Sequence, residues 1–303
     1  MLVRRIVEVG LGGCCLVLGL MFGSGQVGEG QRGKPSASVR FVVYGDTRDG
    51  HAMHRKLISL MMRQNPSFVL ETGDLVHSGT KKKLWDIYDE ITEPVRSKVP
   101  LFPVRGNHDV GGKEFGKHVE IALTKGGVRA DNSLYYSFDR GGSHFIALAV
   151  EGVEAYAAGS KQYQWLISDL EAAKRNKVKG IFVLFHVPPY SIGAHGSDLK
   201  VRKVLCPVFQ KYGVRAVFNG HDHCYYRTRR DGVTYIVSGG GGAPLYTTDP
   251  RKGAISGDKW ESVNHILVCD LDDTQLRGTA LRSDGSVLDT FTIPLPSPPT
   301  PKR

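Results

Sequence analysis

Residues 39–46 read VRFVVYGD, a run of apolar residues broken by one arginine and closed by a glycine and a carboxylate. Short Val- and Phe-rich runs bounded by Gly or Pro are the pattern of buried strands. Four further runs end in the same way: FVLETGD at Asp74, LFPVRGNH at Asn107 and His108, GIFVLFH at His186, and RAVFNGHDH at His221 and His223. Sheets of α/β proteins carry their sites just beyond the carboxyl ends of their strands. Strand ends that each deliver Asp, Asn or His to one rim imply a polynuclear metal site, since those are the oxygen and imidazole donors such ions take.

Outward from these runs, helical and strand patterns alternate. Strands are expected at 39–45, 67–72, 101–104, 181–185 and 214–218, with helices at 51–64, 81–97, 114–124, 161–175 and 198–212. Two strands flank the Arg140-Gly141-Gly142 turn, and hairpins follow at 225–238 and 264–293 around Asp231-Gly232 and Asp284-Gly285. Late hairpins after an alternating first part indicate mixed sheets rather than one doubly wound sheet. The run PLPSPPTPKR at 294–303 reads as an extended Pro-rich tail.

The chain has 303 residues, 41% hydrophobic and 23% charged, which suits one globular domain and excludes a disordered or fibrous protein. A net charge of +10 favours anionic partners, but no nucleic-acid-binding motif accompanies it. Met1 to Arg5 and the apolar stretch Ile6 to Phe22 read as an export signal ending near residue 25, or as an uncleaved membrane anchor. The product is then periplasmic or extracellular, free or membrane-anchored. Residues 26–38 read as a flexible linker, leaving a domain over 39–293. Cys206, Cys224 and Cys269 have no CxxC spacing, and one disulfide or three buried thiols would both suit them.

The set Asp46, GD at 73–74, GNHD at 106–109, His186 and GHDH at 220–223 resembles the calcineurin-like metallophosphoesterases, in their purple acid phosphatase branch. One such block is weak evidence, whereas five in order after five strand patterns are specific. The resemblance implies a four-layer α/β/β/α sandwich of two mixed β-sheets and two divalent or trivalent ions, of Fe, Mn or Zn. It implies hydrolysis of phosphomonoesters by a metal-bound hydroxide, with phosphodiesters as the alternative substrates and a degenerate anion-binding protein as the alternative class. By resemblance Asp74 bridges the ions, Asn107, His186 and His221 complete one, and Asp46 and His223 belong to the other. His108, paired with Asp109, is the expected proton donor to the leaving oxygen. The larger members' extra N-terminal domain has no counterpart here, so a monomer is expected.

Two positions depart from the family pattern. His77 stands where the branch has the tyrosine that gives it colour, and reads either as a replacement ligand or as a solvated loop histidine. Arg48 stands where many members have a metal-binding histidine; it reads as a clamp on a substrate phosphate oxygen or as the partner of Asp49. His195, nine residues past His186, reads as a second phosphate donor or as another loop histidine.

Overall fold

The two faces of β1 (Val39–Tyr44) show how the layers arise. Side chains alternate across a strand, and Phe41 and Val43 join one buried cluster while Val42 and Tyr44 join another. The computed structural model describes residues 38–296 apart from 129–131, 133 and 152–154. Its first sheet runs, edge to edge, β13 (Val287–Pro294), β12 (Gln275–Arg282), β11 (His265–Leu271), β1, β2 (Phe68–Glu71) and β3 (Leu101–Pro103). The second runs β10 (Lys259–Glu261), β8 (Tyr225–Arg230), β9 (Val233–Ser238), β7 (Ala216–Asn219), β6 (Ile181–Leu184), β5 (Ser143–Ala147) and β4 (Tyr136–Arg140). β1 is parallel to β2 and antiparallel to β11, and β9 is parallel to β7 and antiparallel to β8, so both sheets are mixed.

Between the sheets Phe41 stacks on Phe68 at 4.9 Å, and Phe68 meets Phe145 of the opposite sheet edge-on at 5.4 Å. Each such ring contributes about 1.5–3 kcal/mol through burial. Helices α1 (His51–Arg63) and α2 (Lys82–Arg96) cover the outer face of the first sheet with Leu57, Met61, Ile91 and Val95. On the second sheet α4 (Lys161–Arg175) and α5 (Leu199–Tyr212) do the same with Leu166, Leu170, Leu205 and Phe209. α3 (Glu114–Gly126) closes the inter-sheet core beside β3 with Phe115 and Val119. This is the four-layer sandwich expected.

Two details differ from the sequence reading. The short strand β10 pairs with β8 although Lys-Trp-Glu is too short to display a strand period. Pro294, expected in the tail, ends β13 opposite Gln275. β13 is an edge strand, where a residue without an N–H leaves no ladder bond unmade. The expected leader at 1–25, the linker up to residue 37 and residues 297–303 lie outside the described residues. Among the described residues no helix is long and apolar enough to cross a membrane. The three described cysteines are buried free thiols.

Candidate metal centre

The turns that leave β1, β2 and β7 share an uncommon backbone. Asp46, Asp74 and His221 all have positive φ, at 57°, 54° and 71°, a conformation that costs a non-glycine residue about 1–3 kcal/mol. Cross-links between the turns hold them there. The Asp46 amide donates to the Gly73 carbonyl at 2.9 Å, the Thr47 amide to the Asp74 carbonyl at 3.1 Å, and the His221 amide to the Asp46 carboxylate at 3.0 Å. Gly106 lets the next strand end approach, because a Cβ there would lie 2.1 Å from Asp74 Oδ1.

On one side of Asp74, four donor atoms converge. His186 Nε2 lies 3.1 Å from Asn107 Oδ1, 3.3 Å from His221 Nδ1 and 3.4 Å from Asp74 Oδ1, and His221 Nδ1 is 3.0 Å from Asn107 Oδ1. Nδ1 of His186 faces the Thr72 carbonyl at 2.8 Å. It must donate there, which leaves a lone pair on Nε2 of the neutral ring. An imidazole, an amide oxygen and a carboxylate therefore aim lone pairs at one another. An ion held at about 2.0–2.1 Å by each donor has neighbouring ligands about 2.8–3.4 Å apart, at octahedral to tetrahedral angles.

On the other side, Asp46, Asp74 and His223 are all buried and bring one donor atom each within 4.8 Å of one another. His223 Nδ1 donates to the Pro244 carbonyl at 2.6 Å, and its Nε2 lies 3.5 Å from Asp46 Oδ1. With Nδ1–H on that carbonyl, Nε2 of the neutral His223 ring carries the lone pair, as in His186.

The titration of the cluster shows what it lacks. Burial disfavours charge on His186, yet Asp74, Asp46 and Glu151 raise its pKa to about 10. Burial lowers His221 to about 3 and His223 to about 4. Burial pushes Asp46 well up, and the Asp74 charge adds to that against His186. Two buried carboxylates thus draw a proton onto the one imidazole between them. A cation satisfies the same need, and the donor set fits two ions that share Asp74.

The remaining expected residues are placed around this cluster. His77 is turned away from it: its ring is about half exposed and its Nδ1 lies 3.0 Å from Asp49 Oδ1. The carboxylate of Asp49 supplies the attraction. Arg48 donates from Nη1 to Asp49 at 2.8 Å and from Nε to Asp74 Oδ2 at 3.3 Å, so the Asp49 pairing forms. His108 and Asp109 do not form the expected pair. Asp109 is buried and accepts from the amides of Asp74, Leu75, Val76 and Gly106 at 2.8–3.2 Å, which consumes its carboxylate in shaping the turn. His108 instead donates from Nδ1 to the His77 carbonyl at 2.8 Å, and its Nε2 lies 3.9 Å from Asp74 Oδ2. The exposed His195 ring lies 4.3 Å from that of His221.

Two residues were not foreseen. Asp222, fully buried between the two histidines of GHDH, accepts from the amides of His195 and Gly196 at 2.8 and 3.2 Å and from the Ser191 hydroxyl. It ties the loop that carries His195 to the rim, and only its place inside the motif hinted at a role. Tyr246 stacks on His223 at 4.0 Å and also meets His195. Nothing in the sequence around it marked it.

Two mixed sheets whose strand ends gather such donors define the class of metal-dependent phosphoesterases. The calcineurin-like phosphoesterase family model matches residues 39–225, and the chain belongs to that family. It is 31% identical over 221 residues to purple acid phosphatase 21 of Arabidopsis thaliana, covering 67% of this chain and 50% of that protein. Among solved structures, purple acid phosphatase PPD1 from yellow lupin seeds superposes with a TM-score of 0.72 at 23% identity, covering 86% of this chain and 54% of that one. GAP50, the anchor in the inner membrane complex of Plasmodium, gives 0.64 at 19% identity, covering 86% and 90%. The chain spans about half the length of the purple acid phosphatases it matches. Because an anchor protein shares the fold, fold alone does not supply an activity, and it is the donor set that bears on one.

Proposed function

We propose that the chain is an exported binuclear metal-dependent phosphatase that hydrolyses phosphomonoesters. The observation that carries this reading is the convergence of ligand atoms from Asp46, Asp74, Asn107, His186, His221 and His223 on the two sides of Asp74. Asp74 would serve both ions, with Asp46 and His223 on one side and Asn107, His186 and His221 on the other. Bound Fe, Mn or Zn ions would offset the charge of the phosphate and lower the pKa of the attacking water.

The chain's own residues would do the rest. With Nδ1–H fixed on a carbonyl, His108 presents Nε2 to the cleft beside Asp74; as the imidazolium, protonated on both nitrogens, it would give the Nε2 proton to the leaving alkoxide and be left neutral. Arg48 spends Nε and Nη1 on carboxylates and keeps Nη2 for a phosphate oxygen. His195, held by Asp222, would supply a further N–H. These extra donors favour a monoester, which has one more unsubstituted oxygen than a diester. His77 would stay outside the coordination and tune Arg48 through Asp49. Export rests on the basic and apolar first 25 residues.

Turnover of p-nitrophenyl phosphate against bis(p-nitrophenyl) phosphate, before and after chelation and after metal is restored, tests the reading. Chelator-sensitive turnover that prefers the monoester supports it. Preference for the diester moves the assignment to a phosphodiesterase, and no turnover with any of the three metals contradicts it.

A further inference from the structure

Behind the loop that carries His195 lies a cavity of about 100 Å³ whose wall includes Tyr190, Ser191, Arg202, Arg230 and Lys252. Its three cations come from three separate elements: the first turns of α5, the end of β8 and a turn at Pro250–Lys252. No carboxylate lines it. Two carboxylates border its wall: Asp258 lies 3.5 Å from Arg230 Nη2 and accepts from the Tyr226 hydroxyl at 2.7 Å, and Asp222 accepts from the Ser191 hydroxyl.

The donors here are incompletely used. Arg202 donates from Nε to the Pro189 carbonyl at 2.8 Å, and Lys252 to the carbonyls of Gly193 and Ala194 at 2.7 and 2.9 Å. Arg230 donates from Nη2 to the Gly253 carbonyl at 2.7 Å, while its buried Nη1 has no partner. Both guanidinium groups lie against one ring, Arg202 at 4.1 Å and Arg230 at 5.6 Å from the centre of Tyr190. Like charges on one ring repel, and an arginine N–H buried without an acceptor carries a desolvation cost. An oxyanion between them removes both penalties, and planar guanidinium forks suit one.

We propose that this cavity is a second anion site, separate from the metal centre, that takes a tetrahedral oxyanion of the size of inorganic phosphate. Ser191 links it to the cleft. Its hydroxyl donates to Asp222, the same carboxylate that holds the amides of His195 and Gly196. An anion in the cavity therefore borders the segment that places His195 beside His221.

The test is calorimetric titration of the full, metal-loaded chain with inorganic phosphate, repeated after chelation. Two phosphates per chain are expected before chelation and one after it. Arg202→Met should weaken the chelation-resistant phosphate by about tenfold or more, without changing KM for p-nitrophenyl phosphate. Lys252→Gln, on another wall, should weaken it as well and carries the test if the first variant does not fold. No phosphate bound after chelation would overturn the proposal, as would a chelation-resistant phosphate untouched by both variants. One phosphate per chain both before and after chelation, weakened by Arg202→Met, would instead count against the metal-centre reading, so the two failures are distinguishable.

Discussion

Glu71 and Asp74 are three residues apart at the end of β2, both buried, and the chain treats them in opposite ways. Glu71 is satisfied from within: the Tyr44 hydroxyl donates to Oε1 at 2.7 Å and the Tyr88 hydroxyl to Oε2 at 2.6 Å. Burial raises its pKa to about 7 against those two hydroxyls, so a proton completes the arrangement near neutrality. Asp74 receives the His108 amide on Oδ1 at 2.9 Å, but the same oxygen also faces His186 Nε2 at 3.4 Å, beside a second buried carboxylate. A buried acid supplied with hydroxyl donors belongs to the architecture. One placed among other acceptors, with only the Arg48 Nε at 3.3 Å to offset its charge, is under the proposed function half of a site completed by bound ions.

Substitutions at each place sharpen that contrast. Asp74→Asn should have the largest effect, removing the shared ligand and lowering kcat/KM for p-nitrophenyl phosphate by about 10³-fold or more. Elemental analysis of the same variant should find the metal content reduced on both sides; a variant with full metal and full turnover would break the comparison. His108→Ala should lower kcat by about 10²- to 10⁴-fold while metal content stays at the wild-type level, which separates a proton donor from a ligand. Arg48→Met should act mainly through KM, raising it by about tenfold, and a change in kcat alone would place Arg48 on Asp74 rather than on substrate.

Glu71→Gln should leave turnover intact and change only the pH dependence of stability. The folded pKa of Glu71 lies near 7 against an ordinary 4.5. The folded state therefore favours the protonated acid, and its contribution, complete below pH 4.5, is lost as pH rises toward 7. The loss amounts to about 3 kcal/mol at most. Thermal unfolding midpoints of wild type and variant should diverge between pH 5 and pH 8, with the variant higher at pH 8. Parallel curves would mean that Glu71 is ionised in both states.

The half of this contrast that the sequence displayed is the half built from strand ends. β1, β2, β6 and β7 are buried along most or all of their length, so they appear as largely apolar runs, and the Asp or His just past each strand end stands out. Asp46, Asp74, His186 and His221 were legible for that reason. What escaped depends on partners far along the chain. Asp109 looked like the neighbour of His108, but its oxygens serve amides more than 30 residues away. Asp222 acts on a loop 26–31 residues earlier, and His77 turns to an aspartate 28 residues before it. β10 was hidden because three residues cannot display a period, and Pro294 because its place at a sheet edge is a property of topology. Glu71 itself read as one more residue of a strand; only its contact with Tyr44 and Tyr88 shows that it is a closed network.

The claim that the Asp74 side of this contrast is a cation site is tested most directly by counting metal. Elemental analysis of the purified full-length chain, before and after dialysis against a chelator, should give two ions per chain that fall together with turnover and return with it, and the Glu71→Gln variant should give the same count. A chain that folds and turns over p-nitrophenyl phosphate with no metal bound would contradict the account.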